Sequence, residues 1–150
     1  MVRNQLLNNH WLENENQFPK YYQLSKKIHF DHTLIAKSRV CSLQIEQGEE
    51  AFLGYVPIIL IEEAQQEVTI GLVIRGNDLS LIHYIARFFD KKHHELKCYC
   101  HNVASEITTE FKQVCVTYKI PPKAVSLTVQ WEFKGLNTAV TFFRPSVRMD

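Results

Sequence analysis

The stretch from residue 125 to residue 133 reads VSLTVQWEF, and it indicates the fold class more clearly than any other part of the chain. Its odd-numbered positions are all apolar and its even-numbered positions are all polar. Because successive side chains of a strand point to opposite faces, this alternation is typical of a strand with one buried face. The next four residues, KGLN, predict a hairpin turn, and residues 138–143 predict its antiparallel partner.

Three further strands are predicted upstream of this hairpin, at residues 34–46, 51–61 and 67–75. The two connections between them are short and polar, whereas parallel neighbours would need a crossover of a dozen or more residues. The three strands are therefore expected to form an antiparallel meander. Pro57 cannot donate a ladder hydrogen bond, so the second strand should bulge or lie at an edge at that point.

Residues 79–90 predict the main helix of the chain. Their apolar residues recur at spacings of three and four, the period of one helix face, at Leu79, Ile82, Ala86 and Phe89. Asn77 and Asp78 come just before, where a side-chain oxygen can accept a hydrogen bond from a free amide of the first turn. We expect this helix to pack on the meander.

Two stretches are less regular. Apolar side chains recur near helical spacing from Leu6 to Leu12, which predicts a helical or irregular N-terminal segment over residues 1–31. Residues 95–118 fit two interpretations, because residues 96–103 and 111–118 have strand composition while a helical spacing also runs through them. The sequence favours strand–loop–strand there.

Together these elements predict a single α+β domain over residues 1–150, with a helix packed on a predominantly antiparallel sheet that ends in a C-terminal hairpin. A length of 150 residues is usual for one domain. The order of elements loosely resembles that of acyltransferase-like domains and of type III secretion chaperone-like domains. Such an order implies no activity on its own.

Composition argues against several classes of protein. The formal net charge is +1 with Lys and Arg scattered along the chain, so nothing indicates nucleic-acid binding. No apolar run approaches the roughly 20 residues of a membrane-spanning helix, and the N-terminus lacks the apolar stretch of a signal peptide. We therefore expect a cytoplasmic protein with no membrane contact, in which Cys41, Cys98, Cys100 and Cys115 are free thiols.

The densest group of metal-ligating residue types lies at residues 93–101, HHELKCYCH. Thiolate and imidazole are ligands that zinc prefers, so the candidate metal ligands are His94, Cys98, Cys100 and His101. On a strand, Cys98 and Cys100 would point one way and His101 the other, and a closed site would need ligands from elsewhere. Buried thiols beside solvated histidines are the simpler interpretation. We expect no cofactor, with zinc as the alternative.

Histidines are the candidates for catalysis, at His29, His32, His83 and His101. His29 and His32 flank Asp31, and a histidine that is oriented by a carboxylate can act as a general acid or base. Gly-rich phosphate-binding patterns are missing from the sequence. An enzyme, acyltransferase-like in its order of elements, would need a site assembled from distant residues.

Aromatic side chains in a polar context mark the N-terminal segment, at Trp11, Phe18, Tyr21 and Tyr22. Aromatic residues are enriched at interfaces, so these four are the candidate binding residues. Our first hypothesis is a non-enzymatic interaction domain, such as an adaptor, a chaperone-like factor or an assembly subunit, that binds a protein partner or self-associates. The alternatives are the histidine-based enzyme and the zinc-binding module.

Overall fold

The computed structural model of the chain describes residues 3–15, 18–25, 28–45, 49–77, 79–135 and 138–150, without the side chains of residues 32, 45, 79, 80, 135 and 138. These ranges hold thirteen strands and one turn of 3-10 helix at Ala104–Glu106. The strands are β1 (Asn14–Glu15), β2 (Phe18–Pro19), β3 (Tyr22–Leu24), β4 (Ile28–Ile35), β5 (Ser38–Ile45), β6 (Glu50–Tyr55), β7 (Ile59–Leu60), β8 (Glu67–Gly76), β9 (Leu79–Phe89), β10 (Glu95–Asn102), β11 (Lys112–Lys119), β12 (Ser126–Gly135) and β13 (Thr138–Met149).

Two antiparallel sheets contain nearly all of these strands. Sheet I has the order β10-β9-β12-β6-β3, and β7 also pairs with β12. Sheet II has the order β11-β8-β13-β5-β4, and the short strands β1 and β2 pair with each other. The prediction of predominantly antiparallel sheet is confirmed, but the α+β class is wrong. The chain is an all-β sandwich.

The core lies between the two sheets because each alternating strand turns its apolar positions inward. From sheet I come Leu53, Ile82, Tyr84, Phe88, Leu127, Trp131 and Phe133, and from sheet II come Val68, Ile70, Leu72, Ile74, Phe142 and Val147, all fully buried. Each such side chain contributes roughly 1.5–3 kcal/mol through removal from water. The two inner faces therefore account for the stability of the sandwich.

Two tyrosines connect the sheets by hydrogen bonds along one side of the core. The Tyr84 hydroxyl of β9 donates to the carbonyl oxygen of Val114 in β11 at 2.9 Å, and the Tyr118 hydroxyl of β11 donates to the carbonyl oxygen of Tyr84 at 2.6 Å. Burial raises the pKa of Tyr118 to about 12, so this phenol keeps its proton at neutral pH. Both buried hydroxyls thus have partners.

The predicted helix over residues 79–90 is wrong, since this stretch forms β9, which lies between β10 and β12 in sheet I. Its inward positions alternate strictly, at Ile82, Tyr84, Ala86 and Phe88, and none of them is exposed. Ile85 on the outer face is only 5% exposed. Because apolar residues occupy both faces in the middle of the strand, they also produce spacings of three and four that mimic a helix.

The helix that the sequence predicts near the N-terminus is likewise not formed in the described part of residues 1–31, where residues 7–10 are turns. The segment is held by bonds to residues far away in the chain. The backbone N–H of Gln5 donates to the carbonyl oxygen of Val147 at 2.7 Å, and the backbone N–H of Arg39 donates to the carbonyl oxygen of His10 at 3.0 Å. These bonds to β13 and β5 satisfy backbone groups that a helix would have paired internally.

The predicted meander and the predicted C-terminal hairpin are wrong in their pairing, although their strands exist. β5 and β8 lie in sheet II, whereas β6 between them lies in sheet I. In the same way β12 lies in sheet I and β13 in sheet II. A short polar connection can turn back within one sheet or cross to the facing sheet, and alternation does not distinguish the two cases. Pro57 falls between β6 and β7, where it blocks no ladder bond.

The strand–loop–strand interpretation of residues 95–118 is confirmed. β10 and β11 flank the single 3-10 turn, and they lie at the edges of different sheets, β10 in sheet I and β11 in sheet II. In the part of the chain that the structure describes, no helix is long and apolar enough to cross a membrane.

His10 gives the fold an expected dependence on pH. Burial, together with the nearby Arg144 guanidinium, lowers the pKa of His10 below 6.5 in the folded chain. The unfolded chain therefore takes up this proton more readily, so the contribution of neutral His10 is complete above about pH 6.5 and is lost as the pH falls toward the lower folded pKa. We expect urea denaturation to show a smaller free energy of unfolding at pH 5.5 than at pH 7.5. His10→Gln should reduce that difference, and an unchanged difference would rule out His10 as its source.

Candidate functional site

The outer face of sheet I carries mainly polar residues, in three adjacent rows that run across the strands. This surface, called the polar face below, is fixed by the pairing register. Its central row is Gln23, Gly54, Gln130, Ile85 and Cys100, with Thr128, Arg87 and Cys98 on one side and Phe52, Glu132, His83 and Asn102 on the other. These residues occupy the outward positions of strands whose inward positions build the core.

Gly54 makes a depression at the centre of the polar face. A Cβ atom placed on Gly54 would meet nothing within 4 Å. The hollow has a volume of about 240 Å³, and its walls include Gln23, Phe52, Arg87 and Gln130. A glycine in the interior of a strand usually marks a close approach by another group, and here the space above it is open.

The polar side chains around the depression are held by their neighbours. The Gln130 amide nitrogen donates to the Glu132 carboxylate at 3.2 Å, which orients the carbonyl end of that amide. At the rim, the Arg87 guanidinium forms an ion pair with Glu95 at 3.3 Å, with about half of each side chain exposed. A guanidinium has five N–H donors, and this pair engages one of its terminal nitrogens. The face thus presents amide donors and acceptors beside guanidinium donors and the flat ring of Phe52.

A second hollow adjoins the first at the β3 edge of sheet I. We call it the aromatic pocket; its volume is about 470 Å³, and it is lined by Glu15, Phe18, Pro19, Lys20, Tyr21, Tyr22, Val56 and Pro57. Val56 also lines the Gly54 depression and is 63% exposed. The two hollows are therefore neighbours, with Val56 as their shared wall.

A third hollow, larger than the other two, lies elsewhere, at one end of the sandwich between residues 61–67 and residues 119–125, with a volume of about 560 Å³. Connecting segments form much of its wall, and acidic Glu62, Glu63 and Glu67 face basic Lys119 and Lys123 across it. Mixed charges on exposed connections are usual for a solvated surface. Size alone does not make this hollow the better candidate.

The predicted catalytic histidines do not form one group. His29 lies on the outer face of β4 in sheet II, and His32 lies in the same strand with its side chain outside the described set. His83 lies on the polar face, whereas His101 pairs with Tyr84 and so points to the opposite side of sheet I. The structure thus distributes these candidates over both sheets, and no described geometry connects them as acid and base.

The predicted metal ligands are separated in the same way. Cys98 and Cys100 lie on the polar side of β10, His101 lies on the other side, and the His94 ring is 3.6 Å from the Asp90 carboxylate. Among the residues that the structure describes, no group of three or more His, Cys, Asp or Glu side chains could hold a metal ion. The zinc-binding module is therefore not supported.

The four cysteine thiols are poorly suited to nucleophilic catalysis. Cys41, Cys98, Cys100 and Cys115 are free, and Cys41 is fully buried. Burial is the largest cause that raises the pKa of Cys41, Cys100 and Cys115, so these groups stay protonated at neutral pH. A nucleophilic cysteine needs the opposite shift.

The predicted aromatic binding residues divide into two pairs. Trp11 is fully buried and Tyr22 is 7% exposed, so both belong to the core. Phe18 is 54% exposed, and it lines the aromatic pocket together with Tyr21.

The sequence did not predict the residues of the polar face as a candidate site. Gln23, Gly54, Arg87 and Gln130 come from four different strands, and no motif connects them along the chain. The one available signal was the polar half of the β12 alternation, which includes Thr128, Gln130 and Glu132. Such positions are indistinguishable from ordinary solvated ones until neighbouring strands are placed beside them.

The sequence matches no protein-family model. No curated protein matches it either.

Solved structures do resemble it, at low sequence identity. The enzymatically active domain of tailspike protein 4 of bacteriophage CBA120 aligns with 98% of the chain at 14% identity, with a TM-score of 0.72. The chain spans only 21% of that tailspike chain. A family 61 carbohydrate-binding module solved with β-1,4-galactotriose aligns over 99% of both chains at 12% identity, with a TM-score of 0.57. A crystal structure of accessory secretory protein 1, 2 and 3 in Streptococcus pneumoniae aligns over 100% of this chain and 99% of the other, at 16% identity and a TM-score of 0.54.

At these identities the likeness establishes the fold alone. The chain has the β-sandwich of carbohydrate-binding modules, which overturns the predicted α+β class and its packed helix. The expectation of a protein partner or of self-association is corrected as well, because several of the similar structures are carbohydrate-binding domains.

Proposed function

We propose that the chain is a non-enzymatic carbohydrate-binding domain that holds its glycan on the polar face of sheet I. The observation that carries this proposal is the open depression above Gly54, with amide side chains of Gln23 and Gln130 beside it. The fold adds general support, since lectin domains are among the proteins built as double-sheet sandwiches. That support is an analogy, so the proposal rests on the site.

The chemistry of the polar face suits a sugar. Each sugar hydroxyl is both a donor and an acceptor, and the carboxamides of Gln23 and Gln130 offer both kinds of group. Arg87 supplies further donors at the rim. The C–H face of a pyranose ring is apolar and can lie against the half-buried ring of Phe52. A site for a small ligand usually combines an apolar surface with a small number of polar groups.

The outer face of sheet II provides the contrast. Its mid-strand glycine, Gly71, is covered, because a Cβ atom there would lie 2.6 Å from the Ser146 hydroxyl and 2.9 Å from the Cys115 sulfur. Beside it Phe111 packs edge-on against Phe143, and the Arg75 guanidinium lies 4.3 Å above the Phe111 ring. Side chains thus fill this surface at the place where the polar face is open.

The groups of the polar face favour binding over catalysis. Both carboxylates near the depression are engaged by neighbours, Glu132 by Gln130 and Glu95 by Arg87. The raised pKa of Cys100 keeps its thiol protonated. Among the described residues that line the depression, none carries a carboxylate, an imidazole or a thiol, the groups that most often act as general acid or base.

We also propose a cytoplasmic location. Cys98 and Cys100 are exposed and free, which fits a reducing compartment in which thiols persist.

The test is a matched pair of glutamine variants. A panel of immobilised oligosaccharides that includes β-1,4-galactotriose identifies the preferred glycan, and isothermal titration calorimetry measures its Kd. Gln130→Ala should weaken that binding about tenfold, since one lost hydrogen bond of about 1–1.5 kcal/mol corresponds to about that factor. Gln44→Ala removes the same side chain from an exposed position of β5 in sheet II and should leave the Kd unchanged. Binding to no glycan in the panel, or equal effects of the two variants, would overturn the proposal.

A further inference from the structure

The aromatic pocket lies next to the polar face, and its position suggests what kind of glycan the protein takes. Val56 forms part of both hollows, and Tyr22 pairs with Tyr55 at the boundary between them. Gly54 pairs with Gln23 of β3, and Val56 follows two residues later, about 7 Å along the strand direction. The aromatic pocket begins at Val56 and Pro57. A single sugar ring centred over Gly54 leaves that pocket free, whereas a further sugar of the same chain can enter it.

The walls of this pocket combine an exposed ring with a charged rim. Phe18 is 54% exposed, and Pro19, Val56 and Pro57 continue the apolar surface around it. The Lys20 ammonium lies 5.1 Å from the centre of the Tyr21 ring. An apolar surface with a few polar groups at its edge fits the C–H face and the hydroxyls of a sugar in the same way as the polar face does.

The backbone around the pocket is held in place from several sides. The Asn8 amide nitrogen donates to the carbonyl oxygens of Glu13 and Lys20 at 2.7 and 3.0 Å. The Val56 amide donates to the carbonyl oxygen of Tyr21 at 2.8 Å.

Tyr21 itself has a φ of 76°, a left-handed conformation that bulky residues rarely adopt. Such a conformation persists only where the surroundings over-determine it. A preformed pocket loses little entropy when a ligand enters.

We infer that the aromatic pocket is a second subsite for the same glycan, so that the protein binds an internal stretch or an end of an oligosaccharide chain in preference to a mono- or disaccharide. This inference rests on the proposed function of the polar face. Its occupant is the sugar unit that extends past β3 from the ring bound over Gly54. The Phe18 ring is the surface on which that unit stacks.

The experiment compares chain lengths. Calorimetry measures the Kd for galactose, galactobiose, galactotriose and the longer β-1,4-linked oligomers, or for the same series in whichever linkage the oligosaccharide panel identifies. The affinity of the unmodified protein should rise about fivefold to tenfold once the chain is long enough to reach Phe18. Phe18→Ala should remove that rise and leave the affinity for the shortest bound oligomer unchanged. Val56→Asn, at the shared wall, should also reduce the rise.

Leu12→Ala is the matched control, because Leu12 is 56% exposed in the same segment but does not line the pocket. It should retain the full dependence on chain length. If Phe18→Ala and Val56→Asn both keep the rise, the second subsite is wrong while the polar face stands. If the unmodified protein binds short and long oligomers equally, the second subsite is also wrong. Failure of every oligomer to bind refutes the proposed function and the subsite with it.

Discussion

Gly54→Leu is expected to weaken glycan binding at least a hundredfold while the protein stays folded. The leucine side chain would occupy the depression of about 240 Å³ in which we place the sugar ring. A Cβ atom at this position meets nothing within 4 Å, so the leucine side chain starts from open space. Glycine in a strand interior costs about 0.5–1 kcal/mol relative to alanine, so the stability of the variant should equal or slightly exceed that of the unmodified protein. Calorimetry measures the loss of affinity and thermal denaturation measures Tm.

Gly71→Ala is the control for this prediction. It places a Cβ atom 2.6 Å from the Ser146 hydroxyl, so the backbone or the side chain must shift and Tm should fall. The folded fraction of Gly71→Ala should bind glycan with the original Kd, because Gly71 lies on sheet II, away from the polar face. If Gly54→Leu retains binding, the depression is not the site, whatever the effect of Gly71→Ala.

Trp11→Ala should cause the largest loss of stability of any substitution proposed for this chain, about 3–5 kcal/mol. The Trp11 side chain is fully buried and packs edge-on against Tyr22 of sheet I and against Phe30 and Phe142 of sheet II, with ring centres 5.9–6.2 Å apart. Its removal leaves a large cavity between the sheets. Urea denaturation followed by circular dichroism measures the loss.

The neighbouring Leu12→Ala variant separates burial from position in the chain. Leu12 is 56% exposed, so its truncation should change the free energy of unfolding by less than about 0.5 kcal/mol. A loss below about 1 kcal/mol for Trp11→Ala would show that the N-terminal segment does not contribute to the core as the packing indicates.

The alternation of apolar and polar residues identified strands well where one face of the strand is buried and the other is exposed to solvent. The stretch from residue 125 to residue 133 is the clearest example, since residues 126–133 form most of β12 (Ser126–Gly135) and the apolar residues of that strand, Leu127, Val129, Trp131 and Phe133, are buried. The same rule failed for residues 79–90, because β9 is covered on one face by the core and is partly apolar on the other. When Ile85 adds to the pattern of Ile82, Tyr84, Ala86 and Phe88, a period of two and a period near 3.6 fit equally well.

Local sequence patterns could not predict which strands pair with each other. The connection between β12 and β13 is as short as a hairpin turn, yet the two strands lie in facing sheets. Whether a short connection turns back or crosses depends on which surface completes the core. That is a property of the whole chain, and no property of residues 134–138 alone decides it.

The candidate site was hidden for a related reason. Gln23, Gly54 and Gln130 are far apart in sequence, and they become neighbours only through the pairs of β3 with β6 and of β6 with β12. In the sequence each of them is an ordinary outward position. The aromatic N-terminal residues had a chemical signal, and half of that signal, Trp11 and Tyr22, came from the core.

By itself, the sequence determined that this chain is rich in antiparallel strands, because the alternation of apolar and polar residues is a local consequence of one buried face. It also located most of those strands, including β12 and the pair on either side of the 3-10 turn. The tertiary structure alone decided that the strands divide between two sheets, that residues 79–89 are one of them, and that an open polar face surrounds Gly54. The physical reason is that burial acts on side chains one at a time along the strand, whereas sheet membership and a binding surface depend on which strands lie beside each other.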